Sequence, residues 1–187
     1  MRAVFTALVV VVALQRLAEV RKSAANEARI RAAGGREHAP EQMPWMRALH
    51  ASWLVAMPLE VWLLERAAPA WLAVIAFVVF AVGQGLRIAA MRALGWRWNV
   101  KILTVPGETA VATGVFRYVR HPNYLGVILE IASLPLVSGA WLTSVAFTVA
   151  NGLLLRARIT AEERALREDS GYAHVHAERP RFVPRAL

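Results

Sequence analysis

Pro69-Ala-Trp-Leu-Ala-Val-Ile-Ala-Phe-Val-Val-Phe-Ala-Val-Gly-Gln-Gly-Leu-Arg-Ile88 carries a single charge, Arg87, near its end. In helical form such a run reaches about 30 Å, the thickness of the bilayer's hydrocarbon core. Four more apolar runs accompany it: Ala3–Ala18, Ala48–Leu64, Tyr124–Val137 and Ala140–Leu155. Only Ser138-Gly139 separates the last two, which leaves room for a tight helical hairpin and nothing longer. The fourth run is short for a span and is interrupted by Pro135, so it tilts little, thins the bilayer or sits partly re-entrant. The expected architecture is an all-α, polytopic membrane bundle of about five transmembrane helices.

Composition supports this. Of 187 residues 57% are hydrophobic, more than a soluble domain carries, yet the formal charge is +9. The cations fall between the apolar runs rather than along one soluble face, which argues against nucleic acid as a partner. Twenty of the 22 basic residues lie in three stretches: Gln15–Arg47, the segment from Arg87 to Arg120, and the tail from Arg156. Only Arg2 and Arg66 fall on the other side. Positive charge collects in the cytoplasm, so the N-terminus is expected outside and the C-terminus inside, which requires an odd number of spans. Met1–Ala18 could also be read as a secretory signal, but its basic region is Arg2 alone and no clear small-residue cleavage site follows. Arginine- and alanine-rich usage suggests a bacterial chain and hence the inner membrane. There is no cysteine, which excludes disulfides, Cys-ligated zinc and a thiol nucleophile. The five histidines show no metal-ligand spacing, so no metal is expected.

Two connecting segments have their own character. Gln15 to Ala33 reads as a continuing, partly amphipathic helix that Gly34-Gly35 stops. Leu94 to Thr113 holds Trp96, Trp98, Val100, Ile102 and Val105 before Pro106-Gly107, and is expected to be interfacial and non-helical, its two Trp rings at headgroup level.

The chemistry is concentrated in Gly114-Val-Phe-Arg-Tyr-Val-Arg-His-Pro-Asn-Tyr-Leu-Gly126. Pro122 suits the first turn of a helix, and Arg117, Arg120 and His121 crowd the approach to it, which makes an anion site at a helix N-terminus. In the tail, Asn151, Leu155, Arg158 and Glu162 share one helical face, with Glu163 one position round. Arg158 and Glu162 are either a solvated i,i+4 ion pair or part of a site facing the first cluster. Glu60, Gln84, Glu130 and Asn151 are polar within apolar runs and should face the bundle interior, for function or for helix packing. His50 reads as an interfacial histidine. No G-x-G-x-x-G follows a strand, and no Walker, G-x-S-x-G or H-E-x-x-H motif occurs.

Ala112-Thr-Gly-Val-Phe-Arg-Tyr-Val-Arg-His-Pro-Asn-Tyr-Leu-Gly126, with Ile159-Thr-Ala-Glu-Glu163 in the tail, resembles the isoprenylcysteine carboxyl methyltransferase family of membrane enzymes. Leu86–Gly95 and Trp98 resemble that family's lead-in. The resemblance covers Gly83 onward, which implies a single domain over 1–187, with N-terminal spans in 1–82 and a methyltransferase-like core in 83–187. Val115 stands where the family commonly has proline. The resemblance implies S-adenosylmethionine as cofactor, held at its amino-acid end by His121 and Tyr124, with Arg120 adding positive charge and Leu125 and Gly126 allowing close approach. It implies that Glu163, with Glu162, closes the pocket, and that Arg158 orients the acceptor. The acceptor is then a lipophilic small molecule partitioned into the bilayer, methylated on a carboxyl or hydroxyl group. Phospholipid N-methyltransferases and NADPH-dependent sterol reductases carry similar Arg-His-Pro-x-Tyr cores and remain the alternatives.

Overall fold

In the computed structural model, which describes residues 2–183, the first apolar run and the basic arm after it are one helix, α1 (Arg2–Ala32). Gly34, at φ 83, takes the left-handed turn that ends it. The chain then passes through β1 (Arg36–His38) into α2 (Met43–Leu63), α3 (Ala70–Leu94), β2 (Ile102–Thr104), α4 (Pro122–Ser133), α5 (Trp141–Asp169) and a short α6 (Tyr172–His176). A 3₁₀ turn, Pro135–Ser138, and Gly139 at φ 80 make the hairpin between α4 and α5. A side chain at Gly139 would strike the Ala67 backbone at 2.9 Å, so the turn also needs glycine for space.

α1 and α3 are each long and apolar enough to cross a membrane by length and composition. Large apolar side chains are exposed along four helices: Val10, Val11 and Leu14 on α1, Val55 and Leu59 on α2, Val74, Val78 and Val82 on α3, Val145 and Val149 on α5. Water would penalise such a belt, and hydrocarbon would not. Trp62, Trp71 and Trp141, all exposed, stand at the helix ends opposite the basic segments, the level where indole rings meet headgroups.

α4 is different, because none of its residues is exposed. It lies between α3 and α5, and Val127, Ile131 and Leu134 join the main core of Phe5, Val9, Leu49, Trp53, Met57 and Phe80. This explains its shortness: a helix surrounded by protein need not match the bilayer's thickness. Its approach to α3 is close, since a Cβ on Gly126 would meet the Gly83 carbonyl oxygen at 2.6 Å and Arg87 Cγ at 2.5 Å.

Several polar groups inside the bundle are matched. Glu60 accepts from the Leu142 and Thr143 N–H groups at 3.1 and 2.7 Å and from the Thr143 hydroxyl at 2.7 Å, capping α5, whose own N-cap is Ala140. Glu130 meets Arg16 at 2.5 Å and Arg87 at 3.3 Å, and Arg87 also meets Glu19 at 2.6 Å. This buried quartet ties α1, α3 and α4 together. Arg16 and Arg87, read from the sequence as members of the cytosolic charge, are thus interior groups, because α1 and α3 carry them back among carboxylates.

The mostly helical bundle also carries a small ribbon: β1 and β2 pair antiparallel, Arg36 opposite Thr104 and His38 opposite Ile102. Lys101 and Arg31 bridge Glu27 and Glu37 beside this ribbon and pin it to α1. Trp98 is buried against the bundle, where Asn26 of α1 donates to its carbonyl at 2.6 Å.

Candidate functional site

The site's polar end is built where α4 begins. Pro122 takes the first helical position, where a missing N–H costs the helix nothing. His121 just precedes it, buried, with Nε2 3.0 Å from Glu163 Oε1 on α5. Glu163, 2% exposed, also accepts from Arg181 at 2.8 and 3.0 Å and from Arg167 at 3.4 Å, and the Arg120 guanidinium is 3.5 Å away. Burial by itself raises this carboxyl's pKa. Hydrogen bonds from His121 and Arg181, with their charges, outweigh burial and hold it at about 2.

Arg181 reaches Glu163 because the chain after α6 doubles back. The Arg120 N–H donates to the Pro180 carbonyl at 2.9 Å and the His121 N–H to the Arg181 carbonyl at 3.1 Å. The Phe182 ring lies 6.4 Å from that of His121.

One turn into α4, the Tyr124 hydroxyl donates to the Glu162 carboxylate and accepts from Arg158 Nε at 2.9 Å. Arg158 is buried and spends a second N–H on the Val100 carbonyl at 2.5 Å. Arg158 and Glu162 therefore meet through a phenol from another helix.

A cavity of about 590 Å³ opens against these groups. Arg120, His121, Asn123, Tyr172 and His176 line its polar end, and a mainly apolar leg runs between α1 and α2 past Leu17, Val20, Met46, Ala51 and Leu54, with Arg16, Glu19, Arg47 and His50 among them. Leu17 and Val20 are half or more exposed while lining that leg, so the leg opens sideways between the two helices. Five buried polar atoms of lining residues have no hydrogen-bond partner: Arg87 Nε, Trp98 Nε1, Arg120 Nε, Asn123 Oδ1 and the Tyr172 hydroxyl. Buried polar atoms without partners are rare, and these leave both donors and acceptors free on the cavity wall. Burial, followed by the nearby Glu163 charge, pushes the Tyr172 phenol up, so it keeps its proton.

Of the residues singled out from the sequence, Arg120, His121, Tyr124, Arg158 and Glu162 line the cavity. Glu163 stands behind His121 and fixes it. Leu125 and Gly126 are not on the wall, and the contact that Gly126 allows is with α3. Sequence reasoning missed Tyr172 and Arg181, which reach the site only through the return of the tail. It also missed Trp98 as a wall residue, because an aromatic beside cations reads as an interfacial anchor.

A helical bundle with a lipid-facing belt, and a charged cavity joined to an apolar leg, defines an intramembrane enzyme class. Residues 71–168 match the isoprenylcysteine carboxyl methyltransferase (ICMT) family, and the chain belongs to that family of membrane methyltransferases. The match spans α3 to α5, so α1, α2 and α6 lie outside it. The chain is 36% identical over 166 residues to the uncharacterized protein YpbQ of Bacillus subtilis, covering 89% of this chain and 98% of that one. It is also 39% identical over 70 residues to an uncharacterized protein of Haemophilus influenzae, covering 37% and 41%. The fold is similar to that of the eukaryotic intramembrane Ras methyltransferase ICMT, with a TM-score of 0.55 at 24% identity. That similarity covers 75% of this chain and 52% of the other, so the chain spans about half the eukaryotic protein's length.

Proposed function

We propose that the chain transfers the methyl group of S-adenosylmethionine to a carboxyl or hydroxyl group of a lipophilic small molecule drawn from the bilayer. The observation that carries this is the one cavity with two unlike ends. Its polar end bears unpartnered donors and acceptors suited to an amino acid's ammonium and carboxylate. Its apolar leg opens between α1 and α2 toward lipid. Arg120 and Trp98 would donate to the carboxylate, Asn123 would accept from the ammonium, and His121 and Tyr124 would flank them. Leu125 and Gly126 set the helix turn behind these residues, Glu163 holds His121 in place, and Arg158 and Glu162 hold Tyr124 at the acceptor's side. S-adenosylmethionine supplies a methyl group on a sulfonium, and its displacement destroys charge, so excluding water and aligning the reactants are the protein's main contributions. The helices α1 to α5 are assigned to the bilayer, with the basic end and the polar half of the cavity facing the cytoplasm.

Titration calorimetry on the detergent-purified chain tests this. S-adenosylmethionine should bind and NADPH should not. Asn123→Ala and Tyr172→Phe should each weaken binding about tenfold, the worth of one buried hydrogen bond. Preferential binding of NADPH would overturn the proposal in favour of a reductase. Incubating membranes with labelled cofactor and lipid extracts then identifies the acceptor.

A further inference from the structure

Past its apolar half, the inner face of α1 turns polar. Its buried residues there are Glu19, Ser23, Asn26 and Ile30, spaced so that they share one side of the helix. Glu19 belongs to the ion quartet. Ser23 and Asn26 serve a different stretch, the link that carries the chain from the end of α3 to β2.

Residues 98 to 101 of that link belong to no helix or strand, so their backbone groups need partners from elsewhere. Asn26 supplies one. Its Nδ2 lies 2.6 Å from the Trp98 carbonyl oxygen and 3.4 Å from that of Gly95. Carbonyls can only accept, so the amide nitrogen is the atom that faces them. Ser23 adds two ties: its hydroxyl accepts from the Val100 N–H at 3.1 Å, and its carbonyl accepts from the Asn99 side chain at 2.8 Å.

The link also faces the cavity. Trp98, 3% exposed, is one of the lining residues, and its indole Nε1 has no partner among the described residues. The Val100 carbonyl accepts from Arg158, which in turn holds the Tyr124 hydroxyl. Trp98 is therefore gripped through its backbone by α1 while its side chain borders the space for the ligand. A hydrogen bond weakens steeply once the N–H points off its acceptor, so the indole delivers its bond only while that backbone stays in place.

We infer that Asn26 is a positioning residue for cofactor binding: by holding the Trp98 backbone it aims the indole N–H at the cofactor's carboxylate. This rests on the methyltransferase reading above. Asn26 lies outside residues 71–168, so the support comes from a helix beyond the stretch that matches the family.

A double-mutant cycle on S-adenosylhomocysteine binding to the detergent-purified chain tests this. Asn26→Ala and Trp98→Phe should each weaken binding about tenfold, the worth of one buried hydrogen bond. The double variant should bind within about twofold of Trp98→Phe, because without the indole N–H nothing is left for Asn26 to aim. Val12→Ala, a buried change in the apolar half of the same helix, should lower the thermal midpoint and leave affinity within about twofold of wild type. Should Asn26→Ala not fold, Asn26→Leu, which fills the same volume without a donor, takes its place in the cycle with the same result expected. Losses that multiply across the two sites, wild-type affinity in either single variant, or an equal loss in Val12→Ala overturns the inference and leaves methyl transfer standing. A wild type that does not bind S-adenosylhomocysteine overturns both.

Discussion

At the scale of single residues, Glu163 is the point on which the polar end turns. It accepts from three elements, the start of α4, the end of α5 and the returning tail, and none of these is a sequence neighbour of the other two. Its pKa is depressed in the folded chain, so the stabilisation is fully present above the unfolded carboxyl value of 4.5 and is lost as pH falls toward about 2. The thermal midpoint should accordingly be flat above pH 5 and drop below it, and Glu163→Gln should flatten that acid limb. Removing one partner from a buried charge cluster costs about 3–5 kcal/mol. Because Arg167 and Arg181 reach Glu163 from solvent, the lower end of that range, about 3 kcal/mol, is expected for Glu163→Gln in chemical denaturation. Arg181→Ala, on a side chain about half exposed, should cost less than about 1 kcal/mol.

Among the helices, the crossing of α3 and α4 fixes where His121 and Tyr124 stand, and two glycines set its distance. Gly126→Ala should destabilise the chain by about 1–3 kcal/mol, the usual cost of overpacking, because its Cβ meets both the Gly83 oxygen and Arg87. Gly85→Ala, on the same α3 but facing open space, should stabilise by about 0.5–1 kcal/mol through helix propensity alone. Equal effects from the two substitutions would remove the packing role assigned to Gly126. Elements of this kind were only partly legible in the sequence. The apolar runs and the glycines that stop α1 gave the helices, since hydropathy and left-handed turns are local properties. The Arg-His-Pro-x-Tyr start of α4, also a local motif, marked residues that line the cavity. The β1–β2 ribbon was not legible: three-residue strands carry no periodicity, and their pairing joins residues far apart in the chain. Arg16 and Arg87 looked cytosolic because a charge count along the chain records side and not depth. The carboxylates that bury them, Glu19 and Glu130, come from other turns and other helices.

For the molecule as a whole, the two ends of the bundle differ in how their charge is balanced. Arg2 lies 3.7 Å from Glu65, and Arg66 lies 3.8 Å from Glu60, so the cations at one end have carboxylates beside them. The other end carries most of the chain's +9 charge, and there Arg21, Lys22, Arg92, Arg117, Arg156 and Arg164 are exposed. In the orientation proposed above, an asymmetry of this sign has the second end facing the cytoplasm, together with the polar half of the cavity, where a water-soluble cofactor would reach it. The native chain has no cysteine, so single cysteines report orientation without background. Glu65 and Arg164 are both exposed and lie at opposite ends, which makes Glu65→Cys and Arg164→Cys the informative pair. In intact spheroplasts a membrane-impermeant maleimide should label Glu65→Cys at once and Arg164→Cys only after permeabilisation. The reverse pattern would turn the bundle over and expose the polar half of the cavity to a compartment without S-adenosylmethionine. Labelling of both in intact cells would mean an even number of crossings between the two positions. That would require α3, α4 and α5 to cross the bilayer twice or not at all, which a re-entrant α4–α5 hairpin cannot supply, because it leaves α3 as a single crossing.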